Sequence, residues 1–367
     1  MDPEEAPQES EREPPSLRAT TSVPPPPRRA PRMRLAALAI GAAAIATLGV
    51  VEGARLASAS REGPPPVLES WPAAARARYA PPSPPPPRAD ADLDRDGHSW
   101  CSDGALVVLP DFASADGAFD VVVHFHGTTE VVTQSLAAVK LNAVAIVFNL
   151  GIGSGVYETR FAYGPRLDDV LDLARAALEK RGLATPHVRR VALSAFSAGF
   201  GGVLGLLERP DGAHGMDEID AVMLLDGLHA GFDEHHAIDL RRIEPLIAFA
   251  RAATRGEKLF YVTHSDIGTY EYASTHATSD AVLAELGVTR QDGGEKPASP
   301  DLPVLRSPSV QRDLRPLEPL SHAEKGSFFV RGYAGDRAEN HLSHLDQMGA
   351  TALPELAKRW SRDAAHR

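Results

Sequence analysis

The chain has almost no cysteine and no excess of positive charge. Its single cysteine, Cys101, cannot form a disulfide within the chain, and one thiolate cannot build a cysteine-based zinc site. Aspartate and glutamate number 49 against 38 lysines and arginines, which gives a formal net charge of -11. Because a phosphate backbone attracts a basic surface, this acidic balance argues against nucleic acid as a partner.

The N-terminal part of the chain differs in composition from the rest. Residues 1–34 are polar, rich in proline and end in a basic cluster, so we expect a disordered tail. Residues 35–51 carry no charge and predict one membrane-targeting helix, either a signal anchor or a cleaved signal peptide with its true start at Met33. The proline runs in residues 52–98 predict an extended linker. Both alternatives put the remaining chain outside the cytoplasmic membrane, either anchored or secreted.

Residues 99–367 are expected to form one domain in which strands and helices alternate. Near-continuous apolar runs of strand length are separated by helical patterns. This alternation predicts an α/β fold with a mostly parallel central sheet and helices on both faces. Residues 288–325, rich in glycine, proline, aspartate and serine, predict a lid-like or flexible insertion. The predicted strands are 105–109, 120–126, 142–149, 188–194, 219–225, 258–263 and 327–333.

A serine follows one predicted strand at a sharp turn. The segment 195–199, with the sequence AFSAG, joins strand 188–194 to a glycine-rich helical pattern. Small residues beside Ser197 allow the turn to lift its hydroxyl clear of the sheet, next to the positive end of the helix. The segment resembles the nucleophile elbow of the α/β-hydrolase family, with Ala195 in place of the first glycine of that motif. The resemblance implies that Ser197 is the nucleophile.

The resemblance also implies an oxyanion hole. In this family an HG pair after the third main strand supplies one N–H group, and here Gly127 and Thr128 follow strand 120–126. The second N–H group is that of the residue after the nucleophile, Ala198. The side chains expected to line a pocket are His126, Phe196 and His344.

The family's chain order is serine, acid and histidine, which implies an acid and a base downstream of Ser197. Asp226 and Asp266 each follow a predicted strand, and the choice between them stays open. We favour Asp226, because a carboxylate that directly ends an apolar run is costly unless it has a partner. His341 follows the last predicted strand, ahead of the last helix, and is the expected general base.

The activity that the resemblance implies is that of a serine esterase or lipase-like enzyme. Such an enzyme cleaves an ester or amide through an acyl-enzyme intermediate and needs no cofactor. We expect a small-molecule or lipid-like acyl substrate, and contact with the membrane through residues 35–51. The sequence contains no indication of the oligomeric state.

Two alternatives belong to other functional classes. His124 and His126 lie two residues apart on one face of a predicted strand, a spacing that suits a metal-dependent hydrolase. The domain could also be a catalytically silent hydrolase-like domain that binds a partner.

Overall fold

The predictions for residues 1–34, 35–51 and 52–97 lie outside the part of the chain described by the structure, and so does Cys101. In the described part, every helix is too short or too polar to cross a membrane. The predicted linker ends one residue too late, because His98 already begins a strand. The structure is a computed structural model, and the residues it describes are 98–100, 105–108, 116–209, 217–306 and 315–365.

Twelve strands occur in the described residues, and ten of them form one sheet. The other two form a separate antiparallel pair. In chain order the strands are β1 (His98–Trp100), β2 (Ala105–Val108), β3 (Ala118–Phe125), β4 (Val144–Phe148), β5 (His187–Phe196), β6 (Ile219–Leu225), β7 (Gly231–Phe232), β8 (Ile238–Asp239), β9 (Leu259–His264), β10 (Gln291–Asp292), β11 (Pro319–Lys325) and β12 (Phe328–Tyr333).

The large sheet is parallel at its centre and antiparallel at both edges. From one edge to the other the order is β1-β2-β4-β3-β5-β6-β9-β12-β11-β10. The six central strands pair in parallel, in the order β4, β3, β5, β6, β9 and β12. The strands outside them pair antiparallel. Every strand predicted from an apolar run is present, so the prediction of a mostly parallel α/β sheet is confirmed.

Helices cover both faces of this sheet. In chain order the helices of the described residues are α1 (Thr129–Ala138), α2 (Ser154–Tyr163), α3 (Leu167–Lys180), α4 (Phe200–Leu207), α5 (Glu244–Thr254), α6 (Thr275–Leu286), α7 (Ala338–Asp346) and α8 (Ala352–Ala365). Helices α2 to α6 share one apolar cluster with Val121 and Val123. Helices α1, α7 and α8 share the other with Val122. Successive residues of a strand point to opposite faces of the sheet. A continuous apolar run therefore supplies apolar side chains to both faces, and helices bury both faces.

Helix α4 approaches its neighbours closely because glycines line its surface. A Cβ added at Gly202 would lie 2.6 Å from the ring of Phe125 on β3. One added at Gly205 would lie 2.7 Å from the carbonyl oxygen of Glu158 in α2. Each glycine costs about 1 kcal/mol relative to alanine in a helix, so only close packing makes this composition tolerable. These glycines therefore let α4 pack closely against both the sheet and α2.

The prediction of an insertion at residues 288–325 is wrong in part. Strands β10 and β11 lie within it and extend the sheet beyond β12. Strand β11 lacks a continuous apolar run because only alternate residues, such as Ser321 and Ala323, are buried. A short 3-10 helix at Pro303–Arg306 packs near α1, where Val304 N–H donates to the side chain of Gln134 at 2.8 Å. Residues 307–314 lie outside the described ranges.

We predict that Gly201→Ala destabilises the fold, because a Cβ at this position would overlap the carbonyl oxygen of Ser154 in α2. Overpacking of this kind costs about 1–3 kcal/mol in the free energy of unfolding, which urea denaturation measures. The control is Gly155→Ala on the opposing helix, where an added Cβ would meet nothing within 4 Å. Equal stability of the two variants would contradict the packing described here.

Candidate active site

The carboxyl ends of β3, β5, β6 and β9 meet at one edge of the sheet. The strand order reverses between β3 and β5, since β4 and β5 lie on opposite sides of β3. In open α/β sheets such a point opens a crevice in which ligands bind. The predicted site residues follow these strands: Gly127, Ser197, Asp226 and Asp266.

Ser197 occupies a strained turn between β5 and α4. Its φ is 50°, in the left-handed region that residues other than glycine rarely adopt. Phe196 before it is still extended, and residues 197–199 form a 3-10 turn that leads into α4. Ala195, in place of the expected glycine, is fully buried between β3 and β6. Strain of this kind costs about 1–3 kcal/mol and concentrates at functional sites.

Asp226 stands at the end of β6 in a second left-handed turn, with a φ of 46°. Gly227 allows this turn to touch the turn at Ser197. A Cβ on Gly227 would lie 2.5 Å from the carbonyl oxygen of Ser197 and 3.0 Å from its amide nitrogen. The two strained turns therefore pack backbone against backbone, and no residue with a side chain fits between them.

The Asp226 carboxylate is buried and bonded through both of its oxygens. Oδ1 accepts hydrogen bonds from the Ser265 N–H at 2.8 Å and from the Thr275 hydroxyl at 2.7 Å. Oδ2 lies 2.7 Å from His341 Nδ1. Burial alone would raise the pKa of Asp226, but His344, the bond from His341 and the Ser265 N–H hold that pKa well below its usual range. The carboxylate is therefore ionised at neutral pH.

His341 links this carboxylate to the serine turn. It lies on α7 and is 9% exposed, and its ring centroid is 4.6 Å from that of Phe196, the residue before Ser197. Because Nδ1 contacts a carboxylate, Nδ1 carries the proton in the neutral ring and Nε2 keeps its lone pair. Within the described residues, no hydrogen bond joins His341 to Ser197. Such bonds are often long in ligand-free sites and tighten when substrate binds.

Asp266, the other candidate acid, faces a different histidine. Its Oδ1 lies 3.1 Å from His276 Nδ1, and its side chain is 34% exposed. The structure therefore brings Asp226 to His341 and leaves Asp266 with His276.

Asp266 and His276 form a group with His264 whose ligand atoms lie within 4.8 Å of one another. The rings of His264 and His276 are stacked, with centroids 4.5 Å apart, so their in-plane lone pairs do not converge on one point. Arg290 donates to His264 Nε2 at 2.8 Å, and its positive charge repels a cation. This group is a hydrogen-bonded network next to the site, and its geometry does not suit a metal ion.

The turn after β3 carries Gly127 and Thr128, the residues predicted to belong to the oxyanion hole. His126 and Gly127 have φ values of 69° and 131°, which reverse the chain at this point. The Gly127 N–H donates to Asn149 Oδ1 at 2.9 Å, and Thr128 is the N-cap residue of α1. The Ala198 N–H lies in the first turn of helix after Ser197, where N–H groups have no acceptor within the helix.

The alternative metal site on His124 and His126 finds no support in the described residues. His124 Nδ1 lies 2.9 Å from Ser194 Oγ, and its Nε2 lies 2.9 Å from the His126 carbonyl oxygen. His126 Nδ1 lies 2.9 Å from the hydroxyl of Tyr157. Burial lowers the pKa of both histidines to about 4, so both are neutral at pH 7. Three of the four ring nitrogens are thus committed within the protein.

The predicted pocket residues separate into two groups. His126 and Phe196 stack with their centroids 5.9 Å apart beside His341. His344 instead lies behind the carboxylate of Asp226, where it is 1% exposed and lines no pocket.

Several contacts of the site could not be read from motifs. Asn149, Ser265 and Thr275 all bond to predicted site residues. Asn149 and Ser265 directly follow β4 and β9, so their position at strand ends was the available signal. Thr275 begins α6 after the N-cap Ser274, and its role depends on where that helix packs.

The fold and the positions of the predicted site residues are similar to those of one known class of protein. A serine on a strand-to-helix turn, an HG turn after a central strand, and an acid and a histidine later in the chain are features of the α/β-hydrolases. All of these lie at the carboxyl edge of the mostly parallel sheet. The chain has the α/β-hydrolase fold.

No family model and no curated protein matches the chain. It is similar to the solved structure of a poly(3-hydroxybutyrate) depolymerase from Bordetella parapertussis, with a TM-score of 0.37 and 15% identity, over 75% of this chain and 87% of that chain. It is also similar to a ferulic acid esterase from Anaeromyces mucronatus, with a TM-score of 0.36 and 10% identity, over 69% and 85% of the two chains. A third similar structure is Est1E from Butyrivibrio proteoclasticus, with a TM-score of 0.32 and 11% identity. The similarity covers 75% of this chain and 98% of that chain.

Buried neutral histidines make the stability of the fold depend on pH. Burial lowers the pKa of His124 and His344 to about 4 and that of His264 to about 3. Histidine in an unfolded chain titrates near pH ~6.5, so below that pH the unfolded state binds protons that the folded state does not. We predict that the free energy of unfolding falls between pH ~7 and ~5, by about 1–2 kcal/mol for each such histidine.

Urea denaturation at a series of pH values measures this dependence. His124→Gln should flatten the curve, since it removes one of the buried groups. His235→Gln is the control, because the His235 side chain is 82% exposed and takes no part in the buried core. A wild-type curve that stays level across this range would contradict the prediction.

Proposed function

We propose that this protein is a serine hydrolase that cleaves ester bonds through Ser197, His341 and Asp226. The observation that carries the proposal is the 2.7 Å hydrogen bond between His341 Nδ1 and Asp226 Oδ2, next to the strained turn that holds Ser197. A buried, ionised carboxylate bonded to a histidine at the edge of a crevice is costly for stability and typical of catalytic sites. The close packing of Gly227 on Ser197 supports the same grouping.

In this mechanism the histidine moves the proton and the aspartate sets its tautomer. His341 Nε2 takes the proton from Ser197 Oγ, which attacks the ester carbonyl carbon and forms a tetrahedral intermediate. The intermediate collapses, the bond to the alcohol breaks, and His341 returns the proton to the leaving alcohol oxygen. Water then attacks the acyl-enzyme by the same route, releasing the acid and restoring Ser197. Asp226 stays ionised throughout and stabilises the imidazolium.

The negative oxygen of each tetrahedral intermediate needs donors that are already in position. The N–H groups of Ala198 and Thr128 are the candidates, one from each side of the crevice between β5 and β3. Such donors act where charge develops, and each contributes about 2.7–4 kcal/mol to lowering the barrier. Asn149 supports this arrangement, because its bond to Gly127 holds the turn after β3.

Exposed apolar side chains after β4 and β9 favour a small-molecule ester with apolar parts. Ile152 and Val156 follow β4 on one side and are 60% and 45% exposed. Tyr270 and Tyr272 follow β9 on the other side and are 73% and 43% exposed. Exposed apolar side chains grouped around a site indicate a binding surface for apolar ligands. Apolar acyl or alcohol groups would lie against these side chains while the ester reaches Ser197.

We also propose that the enzyme works outside the cytoplasmic membrane. The support is the uncharged segment 35–51, preceded by a basic cluster and followed by a proline-rich linker.

We predict that Ser197→Ala abolishes hydrolysis of a short p-nitrophenyl ester and labelling by a fluorophosphonate, because both reactions need the hydroxyl nucleophile. Mass mapping of the labelled wild-type peptide identifies the reacting serine. The control is Ser194→Ala, three residues earlier, whose hydroxyl is buried against His124 and should not react. A wild-type protein that remains unlabelled would favour a catalytically silent binding domain over an enzyme.

The two candidate acids give a second, independent test. We predict that Asp226→Asn lowers kcat by about 10,000-fold, because an amide cannot hold His341 in the required tautomer. Asp266→Asn should leave kcat within about threefold of the wild type, since it loses only a half-exposed contact with His276. Steady-state kinetics on one ester, with circular dichroism to check folding, measures both. A larger loss in the Asp266 variant would refute the assignment of the acid.

A further inference from the structure

His344 lies one helical turn after His341 and reaches the same carboxylate from behind. Its Nδ1 is 2.8 Å from Thr263 Oγ1 on β9. Its Nε2 is 3.9 Å from Asp226 Oδ2, the oxygen that His341 contacts, and has no hydrogen-bond partner. Leaving a buried polar atom without a partner costs about 1–3 kcal/mol, so this nitrogen calls for a physical reason.

The hydrogen bond with Thr263 and the charge of Asp226 together favour one tautomer of His344. Thr263 Oγ1 accepts the backbone N–H of Asp226 at 3.2 Å, and its own proton is then available for His344 Nδ1. With Nδ1 as the acceptor, the neutral ring carries its proton on Nε2. The opposite tautomer would aim a lone pair of Nε2 at the Asp226 carboxylate, which is repulsive. His344 therefore presents an N–H group to Asp226 Oδ2.

We propose that His344 is a positioning residue that donates a second hydrogen bond to Asp226 Oδ2 when substrate contracts the site. The inference rests on the proposed function and deepens it: one carboxylate would hold two imidazoles, of which only His341 reaches the serine. The present separation is longer than a hydrogen bond by less than about 1 Å. Small movements of that size are common when catalytic hydrogen bonds tighten on ligand binding.

The second donor would change what Asp226 does to His341. A carboxylate stabilises the imidazolium in proportion to its uncompensated charge, and a donor at Oδ2 reduces that charge. His344 would thus reduce the stabilisation that Asp226 gives to a protonated His341 ring. Burial lowers the pKa of His344 to about 4, so His344 stays neutral while the enzyme passes through its working range. Other titratable groups face Asp226, His341 or His344. These groups are His126, His229, His264 and Tyr333.

The test compares two replacements of His344 by the pH dependence of kcat/KM for a short p-nitrophenyl ester. His344→Phe keeps a ring but removes the N–H group, and should shift the acidic limb of the profile to higher pH by about half a unit or more. His344→Gln keeps an amide N–H that can reach Asp226, and should keep the limb near its wild-type position. A purely structural role for His344 would lower the rate without moving the limb.

A second variant tests the same chain of bonds from the other side. Thr263→Val removes the hydroxyl that sets the tautomer of His344, and Asp226 keeps its other backbone bond to the Thr263 carbonyl oxygen at 3.0 Å. This variant should move the acidic limb in the same direction as His344→Phe. The control is Ser343→Ala on the same helix, which loses only a bond to the Glu339 carbonyl and should leave the limb unchanged.

The outcomes separate this inference from the function on which it rests. If Ser197 reacts with a fluorophosphonate but the limb is unchanged in both His344→Phe and Thr263→Val, the role of His344 is overturned and the serine mechanism stands. If Ser197 neither reacts with the fluorophosphonate nor supports turnover, the serine mechanism and the proposed role of His344 are both overturned. An unchanged limb in His344→Phe alone, with that variant folded, is also enough to overturn the proposal.

Discussion

The buried, ionised carboxylate of Asp226 is the constraint on which the rest of the site depends. A charge removed from water is tolerated only where hydrogen bonds replace its hydration. Here the replacements come from Ser265 after β9, Thr275 at the start of α6 and His341 on α7. Each bond ties a separate element to the end of β6. The arrangement that keeps Asp226 ionised therefore also assembles the crevice.

Backbone strain and glycine act together at the same place. Ser197 and Asp226 both adopt left-handed φ values, and Gly227 removes the side chain that would hold their turns apart. Strained conformations of this kind persist only where the surrounding packing leaves no alternative. The continuous sheet supplies that packing, since β5 and β6 are neighbours along their length and end together. The centre of the sheet thus holds the strained turns at Ser197 and Asp226 in place.

The parts of the fold that could be predicted are those with a strong local signal. Central strands such as β3 and β6 are buried on both faces, so they appear as continuous apolar runs. Strand β11 lies near the edge with one face exposed, and its mixed composition hides it within an apparent insertion. The serine turn was predictable because small residues, Ala195 and Gly199, stand two positions before and after Ser197. The bond between Asn149 and Gly127 was not, because it joins two loops that are distant in sequence.

By itself, the sequence determined the order of strands and helices, the serine turn at Ser197 and the histidine that follows the last strand. Those features depend on local periodicity and on small residues at fixed spacing, which chain neighbours alone specify. Only the tertiary structure brings Asp226, and not Asp266, to His341, since both aspartates follow a strand in the sequence. The packing of α7 turns His341 towards β6, and α6 pairs His276 with Asp266. That choice arises from contacts between distant elements, and no local pattern encodes it.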